Sequence, residues 1–327
     1  MFGHPSVVGT MMEYIKLTQR LSVASIVDLC RDILAGIGTA VQYIDGESNI
    51  SEIAGVADGR CVAANTVCFL EKVPRQTLPV ALKNALVITR PDLVSSLTGC
   101  NLLVTADPRA LFIDLLDRLI VYPGFNSFSS IIDAVPMIDP EAEIHPCAII
   151  EDGVGIGAGT RIAAGCVIKR GTFIGKDVTI RENTVVGCDG IALYKALDGR
   201  VLRFPHVAGV IIEDQVEIGA NCVLPRGAMK CSRVGSQSVI GNLCNLGHAV
   251  QIGRKVWMSV GCLIGGNSVI GDGSSLGLGV NVRDNLQIGQ NCSLGMGSVV
   301  VKNLPDGDSV FGNPAKRMPR IKAGPER

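Results

Sequence analysis

The chain reads as a mainly β protein, a parallel β-helix of hexapeptide repeats behind an N-terminal α/β domain and ahead of a short C-terminal cap. Three observations predict this. First, an aliphatic residue returns every six positions from Ile138 through Ile144, Ile150, Ile156, Ile162, Ile168, Ile174, Ile180 and Val186. It resumes at Ile212, Ile218 and Leu224, slips by four residues, and continues from Val234 through Ile240, Leu246 and Ile252 to Val300. A period of six suits neither an α-helix nor one long strand, but it does suit short strands stacked coil upon coil. Second, the third residue after each aliphatic is mostly Gly, Asn or Asp, as at Gly153, Gly159, Gly165, Asn183, Gly261 and Asn267. These residues tolerate positive φ and so turn corners. Third, glycine is abundant at 39 residues while aromatics make up only 4%, a composition suited to many tight turns. With three hexads to a coil, the run makes about eight triangular coils.

The elements follow in order. Residues 1–20 are expected to be an irregular or helical lead-in, and 21–128 an α/β domain. In "SIVDLCRDIL" Ile26, Leu29 and Ile33 recur at helical spacing. "NALVITR" and "CNLLVTA" are short β-rich runs. "DPRALFIDLLDRLI" opens with Asp107 as N-cap and Pro108 in the first turn, then carries Leu111, Leu115, Leu116 and Leu119 on one face. The turn-rich "VYPGFNSFSSIIDAVP" marks the boundary to a β-helix over 129–303. "DAVPMIDPEAEIHPCAII" is its opening cap, with His145 a turn residue, and 304–327 leaves the repeat to fold back as the closing cap.

Bulk properties exclude several classes. Thirty basic residues balance thirty acidic ones, so there is no electrostatic footprint for nucleic acid or an anionic membrane. No apolar run reaches the roughly 18 residues of a membrane span. The twelve cysteines form no metal-ligand spacing. Cys166, Cys222, Cys244, Cys262 and Cys292 occupy one slot of the repeat, otherwise held by Val, Thr, Ser or Ala, and read as small apolar fillers. A reducing cytoplasm fits this usage. Neither a metal nor a cofactor is expected.

One stretch departs from the pattern. In "IGNLCNLGHAVQIG" the corner positions 243, 249 and 255 hold Leu, Ala and Lys, and a histidine stands at 248. Gly266 lies 18 residues later, one coil on, and so stacks on His248 at about one strand spacing of 4.8 Å. A titratable ring beneath a backbone N–H with no side chain in the way is a base-plus-oxyanion arrangement for acyl transfer. The bland alternative is a histidine whose hydrogen bonds are satisfied locally. Trp257, which precedes a core position, is expected to face outward.

That stretch, with "VVGCDGIALYK" and "FPHVAGVIIEDQVEIGANCVLPRGA" upstream, resembles the UDP-3-O-(3-hydroxyacyl)glucosamine N-acyltransferases of lipid A biosynthesis. "IAGVADGRCVAANTVCFLEK" and "ALVITRPDL" are similar to that family's nucleotide-sugar-binding domain. The resemblance implies a left-handed helix, a homotrimer, a nucleotide-linked amino sugar as acceptor and an acyl carrier protein as donor. By position it implies His248 as general base, Gly266 as oxyanion donor, Asn242 in support and Phe69 against the nucleotide base. The insertion over about 187–210, with Asp189, Gly190 and Tyr194, matches a loop walling the substrate pocket, and His206 within it is a candidate for the sugar phosphate or a plain loop histidine.

Three departures stand out. The family's second active-site histidine falls near Asn285, an ordinary corner residue. "FLEKVPRQ" lacks the tyrosine after the phenylalanine, and "GNPAKR" resembles the exit of coenzyme A-dependent hexapeptide acyltransferases rather than the family's C-terminal helices. The alternatives are therefore an N-acyltransferase of another nucleotide amino sugar using acyl-CoA, and a non-catalytic scaffold. A zinc hydratase on the same helix would need several converging histidines, and only one is well placed.

Overall fold

The computed structural model describes residues 15–48, 50–57, 59, 62–72, 80–121, 137–314 and 316–317. The chain divides into two compact units, Met1–Ser130 with Ala192–Pro205, and Ile131–Ile191 with His206–Arg327. The boundary expected at 128 falls outside the described residues, as does most of the connector.

The first unit is a six-stranded mixed sheet. Its strands are β1 (Ile15–Ser22), β2 (Gln42–Ile44), β3 (Glu52–Val56), β4 (Thr66–Leu70), β5 (Leu86–Thr89) and β6 (Asn101–Val104), in the order β1-β3-β4-β5-β6-β2. The pairs β3–β4, β4–β5 and β5–β6 are parallel and the two edges antiparallel. Every residue of β5 and β6 is buried, which explains their unbroken aliphatic runs.

Two helices pack here as α1 (Val23–Ala35) and α3 (Pro108–Ile120), with a single turn α2 (Val80–Lys83) between them in sequence. Asp107 caps α3 as expected, accepting from the Ala110 N–H at 3.0 Å, and Leu111, Leu115, Leu116 and Leu119 are buried. In α1 the buried face is Ile26, Val27, Cys30 and Leu34, rotated from the expected Ile26, Leu29 and Ile33 because Cys30 packs as an apolar residue. Residues 15–20 are strand, not an irregular or helical lead-in. Leu17 and Leu21 are buried, and pairing with β3 recruits this segment into the sheet.

The inserted hairpin, Leu193–Lys195 against Val201–Arg203, belongs to this first unit. Tyr194 Oη donates to Asp107 Oδ1 at 2.8 Å and the Leu197 N–H to Asp107 Oδ2 at 2.9 Å. Arg200 forks onto both carboxylate oxygens of Asp114 at 3.3 and 3.0 Å.

The second unit is the β-helix. A first face runs from Met137–Ile138 to Gln287–Ile288, a second from Glu143–Ile144 to Ser309–Phe311, and a third from Ile149–Ile150 to Val299–Val300. The first and third faces hold eight strands each, which agrees with about eight coils. Rungs are parallel and mostly 18 residues apart, as in Leu246↔Ile264↔Val282. The register aliphatics fill the interior with almost no exposure, from Ile156 to Val310.

At the far end Ser309–Phe311 adds one more parallel rung on Ser293–Leu294 before Lys316–Arg317 folds back against it. Near the start, the Cys147 N–H donates to His145 Nδ1 at 3.1 Å, so His145 does shape a turn. Trp257 is exposed, as expected.

Two features of the repeat differ from expectation. Leu243, Ala249 and Lys255 keep the left-handed corner, with φ of 60°, 56° and 54°. The ladder holds them there through bonds such as Leu243 N–H to Ala220 O at 2.9 Å, against a cost of about 1–2 kcal/mol per residue. At the insertion the positive φ falls on Gly187 instead of Asp189.

The cysteines are also more than fillers. Cys166, Cys222, Cys244 and Cys262 donate to Arg181 O, Gly241 O, Ser259 O and Gly277 O at 3.0–3.2 Å, each a carbonyl in the next coil. Ser238, Ser268, Ser274, Thr160 and Thr184 do the same from equivalent slots. The slot selects a small donor. Burial holds the Cys166 and Cys292 thiols above the ordinary thiol range.

Candidate active site at one corner of the helix

His248 follows the third-face strand Asn245–Leu246 and precedes the first-face strand Gln251–Ile252, so it stands at the corner between those faces. Both breaks in the repeat lie at this same corner. Across the insertion, rungs are separated by 38 residues instead of 18, and across the following slip by 22. Each excess lies between a third-face strand and the next first-face strand. The column at the corner, one residue per coil, reads Arg226, His248, Gly266, Asp284.

Gly266 sits directly on the imidazole. A Cβ at 266 would lie 2.6 Å from His248 Nε2 and 2.8 Å from its Cδ2, so only glycine fits without displacing the ring. The ladder fixes this contact, with Asn267 N–H to His248 O at 2.8 Å and Asn285 N–H to Gly266 O at 2.9 Å. At the other two corners, four amides in the slot of Gly266 are capped by a side chain one coil on, while those of Asn242, Val260 and Leu278 face the apolar Val260, Leu278 and Met296. Asp214, Asn242, Asp272 and Asp306 accept from Lys176, Ala220, Arg254 and Gln290, each at 2.8 Å. The residue one coil beyond Gly266 is Asp284, whose Oδ2 accepts from the Asn285 side chain. No acceptor among the described residues takes the Gly266 N–H, which leaves it a donor beside a histidine.

His248 is half-buried, and its Nδ1 has no hydrogen-bond partner among the described residues. Burial lowers its pKa below the usual imidazole value, and the Asp284 carboxylate pulls the other way without prevailing. The ring is therefore neutral at pH 7, the form a general base needs.

His206, at the far root of the insertion, is buried with its ring 5.2 Å from that of His248 and nearly perpendicular at 83°. Gly190 closes the group, since a Cβ there would lie 2.8 Å from both His206 Nε2 and His248 Cβ. The structure thus brings together His248, Gly266, His206 and Gly190. Asp189 points to Arg226 instead, at 3.6 Å from its Nε. Asn242 stands at another corner, where its Oδ1 caps the Ala220 N–H, so it is not beside His248 in the same chain.

Phe69 and Tyr194 both lie beneath Arg109 in the first unit. The Phe69 ring lies 5.0 Å from Phe112 and 6.3 Å from Phe204, and the Arg109 guanidinium sits 5.7 Å over Phe69 and 5.0 Å over Tyr194. Burial, with Asp107 adding to it, pushes the Tyr194 phenol up to about 12. Sequence reasoning missed Arg109, Arg226 and Asp284. The stacking rule that links His248 to Gly266 reaches Asp284 one step further and Arg226 one step back, whereas nothing local singles out Arg109.

Among the described residues, no group of three or more His, Cys, Asp and Glu side chains could hold a metal ion, and no helix is long and apolar enough to cross a membrane.

No protein-family model matches the chain. It is similar to the UDP-3-O-acylglucosamine N-acyltransferase of Coxiella burnetii, 29% identical over 244 residues, which are 68% of this chain and 70% of that one. It is 30% identical over 278 residues to the protein of the same name from Maricaulis maris, covering 73% and 72%. Among solved structures, the Francisella novicida UDP-N-acetylglucosamine acyltransferase is 24% identical over 58% of this chain and 70% of its own, with a TM-score of 0.47, a level at which the likeness carries no weight.

Proposed function

This chain belongs to the UDP-3-O-acylglucosamine N-acyltransferase family, as an acyltransferase of a UDP-linked amino sugar, and from that premise we propose that His248 and Gly266 perform the transfer. The acceptor is the amine of a UDP-3-O-acyl-glucosamine, and the donor a 3-hydroxyacyl thioester on acyl carrier protein. The amine nitrogen attacks the thioester carbonyl carbon while His248 accepts the proton that the nitrogen loses. Negative charge gathering on the carbonyl oxygen is met by the Gly266 N–H. The carbon–sulfur bond then breaks, and the proton on His248 passes to the departing thiolate. An amide and a free thiol result, with no covalent enzyme intermediate.

The observation that supports this most is a neutral imidazole beneath a side-chain-free amide that no acceptor among the described residues takes. In the first unit, the face of Phe69 beneath Arg109 is the contact we assign to the nucleotide base. The exposed column Val260, Leu278 and Met296 is the apolar surface we assign to burial in a homotrimer, the assembly that the resemblance implies. A chain with twelve cysteines suits a reaction in the reducing cytoplasm.

The test is mass-spectrometric detection of acyl transfer to UDP-3-O-acyl-glucosamine, with carrier-protein and coenzyme A donors in parallel, for wild type and His248→Ala. Product from the carrier-protein donor, reduced at least about a hundredfold in His248→Ala with unchanged thermal stability, is expected. Product from acyl-CoA alone replaces the donor. A variant within about threefold of wild type removes His248 from the reaction.

A further inference from the structure

The root of the insertion is held by a buried arginine. Arg226 is only 7% exposed and occupies the corner slot one coil before His248. Its Nε donates to Gly187 O at 2.7 Å and its Nη2 to Arg170 O at 2.8 Å, while its backbone N–H donates to Cys188 O at 2.8 Å. Asp189 Oδ1 lies 3.6 Å from the same Nε. Residues 187, 188 and 189 are thus each tied to Arg226, and the next residue is Gly190, which touches both histidines.

Burying a guanidinium costs several kcal/mol unless it is paired and hydrogen-bonded. A residue that only filled the corner would be served by an aliphatic side chain, so retaining this charge calls for a task that needs its fork of donors. Two backbone carbonyls at fixed angles are such a task.

We propose that Arg226 is a positioning residue for the acyl transfer, clamping Gly187–Asp189 so that Gly190 seats the His206 ring edge-on against His248. It acts through the backbone of 187–190 and touches no substrate. The inference rests on the reading of His248 as the base. Without the clamp, the start of the insertion loosens, Gly190 withdraws, and His248 loses the wall that orients its ring. A displacement of about 1 Å at a catalytic group is enough to cost on the order of a hundredfold in rate. Binding of the nucleotide is expected to be unaffected, because the clamp touches none of the residues assigned to the base.

The experiment compares Arg226→Ala, Gly190→Ala and His248→Ala in the full-length chain by transfer kinetics and thermal unfolding. Arg226→Ala is expected to lower kcat at least about tenfold with KM for the nucleotide sugar within about twofold, and methylguanidinium in the assay is expected to restore part of that loss. Gly190→Ala, whose Cβ would lie 2.8 Å from both His206 Nε2 and His248 Cβ, is expected to reproduce the kcat defect with no loss of fold. It therefore decides the matter if Arg226→Ala does not fold. A double variant no worse than the worse single places both on one path. Arg226→Ala or Gly190→Ala with kcat near wild type, beside an inactive His248→Ala, overturns the clamp alone. A fully active His248→Ala overturns the underlying reading instead.

Discussion

At the corner between the second and third faces, the repeat runs with one small inward residue per coil. Thr184, Cys222, Cys244, Cys262, Val280 and Ser298 stack inward, and Val260, Leu278 and Met296 stack outward. At the corner between the third and first faces, a hairpin leaves the helix, four further residues intrude one coil later, and the column reads Arg226, His248, Gly266, Asp284. The strands on either side are the same in both places. Because each rung is held by backbone pairing and an aliphatic core, a corner can lengthen or change its chemistry without cost to the faces. The helix confines its departures to one edge, and chemistry gathers where the repeat breaks.

The sharpest way to break this contrast is to add one methyl group at each corner. Gly266→Ala places a Cβ 2.6 Å from His248 Nε2, so the ring must move or the coils must part. Gly266 has no positive φ, so the substitution tests space alone. Transfer activity is expected to fall about a hundredfold, with a modest change in stability. Gly279→Ala at the other corner meets no atom within 4 Å but must hold a φ of 65°. It is expected to cost about 1 kcal/mol in thermal unfolding and leave kcat unchanged. Equal losses of activity at both corners would show that the helix transmits any corner strain to the site.

Cysteine tests the other half of the comparison. Cys244→Ala removes the thiol bond to Ser259 O and leaves a small void, for an expected loss of about 1–2 kcal/mol of stability. Cys244→Ser keeps a donor of the kind already used at Ser238, Ser268 and Ser274 and is expected to lose less. Neither change is expected to alter kcat, read in the same transfer assay. A stability order with Ala above Ser would return the cysteines to the status of fillers.

What was legible from sequence follows from what the physics repeats. The inward aliphatics recur because every coil must fill the same prism, so the faces, the coil count and the stacking of Gly266 on His248 could all be read from spacing. Corner identity was a weaker guide. Leu243, Ala249 and Lys255 keep a left-handed φ because the ladder imposes it, so their departure from Gly or Asn did not mean a departure in backbone. Contacts between residues distant in sequence were not legible. Tyr194 reaches Asp107 across 87 residues and Arg200 reaches Asp114 across 86, and those bonds assign the hairpin to the first unit. For His206 the sequence leaves a sugar-phosphate contact and a plain loop histidine both open for the same reason, since nothing in "RFPHVAG" announces a neighbour 42 residues on. Asn242 shows the opposite difficulty, because an asparagine in a catalytic-looking motif also caps an amide at another corner.

The smallest expected effect concerns the acidic neighbour of the base. Burial holds His248 below the ordinary imidazole pKa of about 6.5, and Asp284 is the group that raises it. The base works when neutral, so kcat/KM holds above this pKa and falls as the pH drops through it. The acid limb of the profile is therefore expected below about pH 6.5. Asp284→Asn removes the charge that favours the imidazolium. The limb should then shift further down, by less than about one unit, and the rate at neutral pH should fall a few-fold because the base is weaker. Asp272 holds the same slot at another corner, where it caps Arg254 N–H and pairs with its guanidinium. Asp272→Asn keeps the capping oxygen and is expected to leave the limb in place. A limb that stayed in place or moved upward in Asp284→Asn would show that the Asp284 carboxylate does not raise the His248 pKa, and the column of stacked residues would end at Gly266.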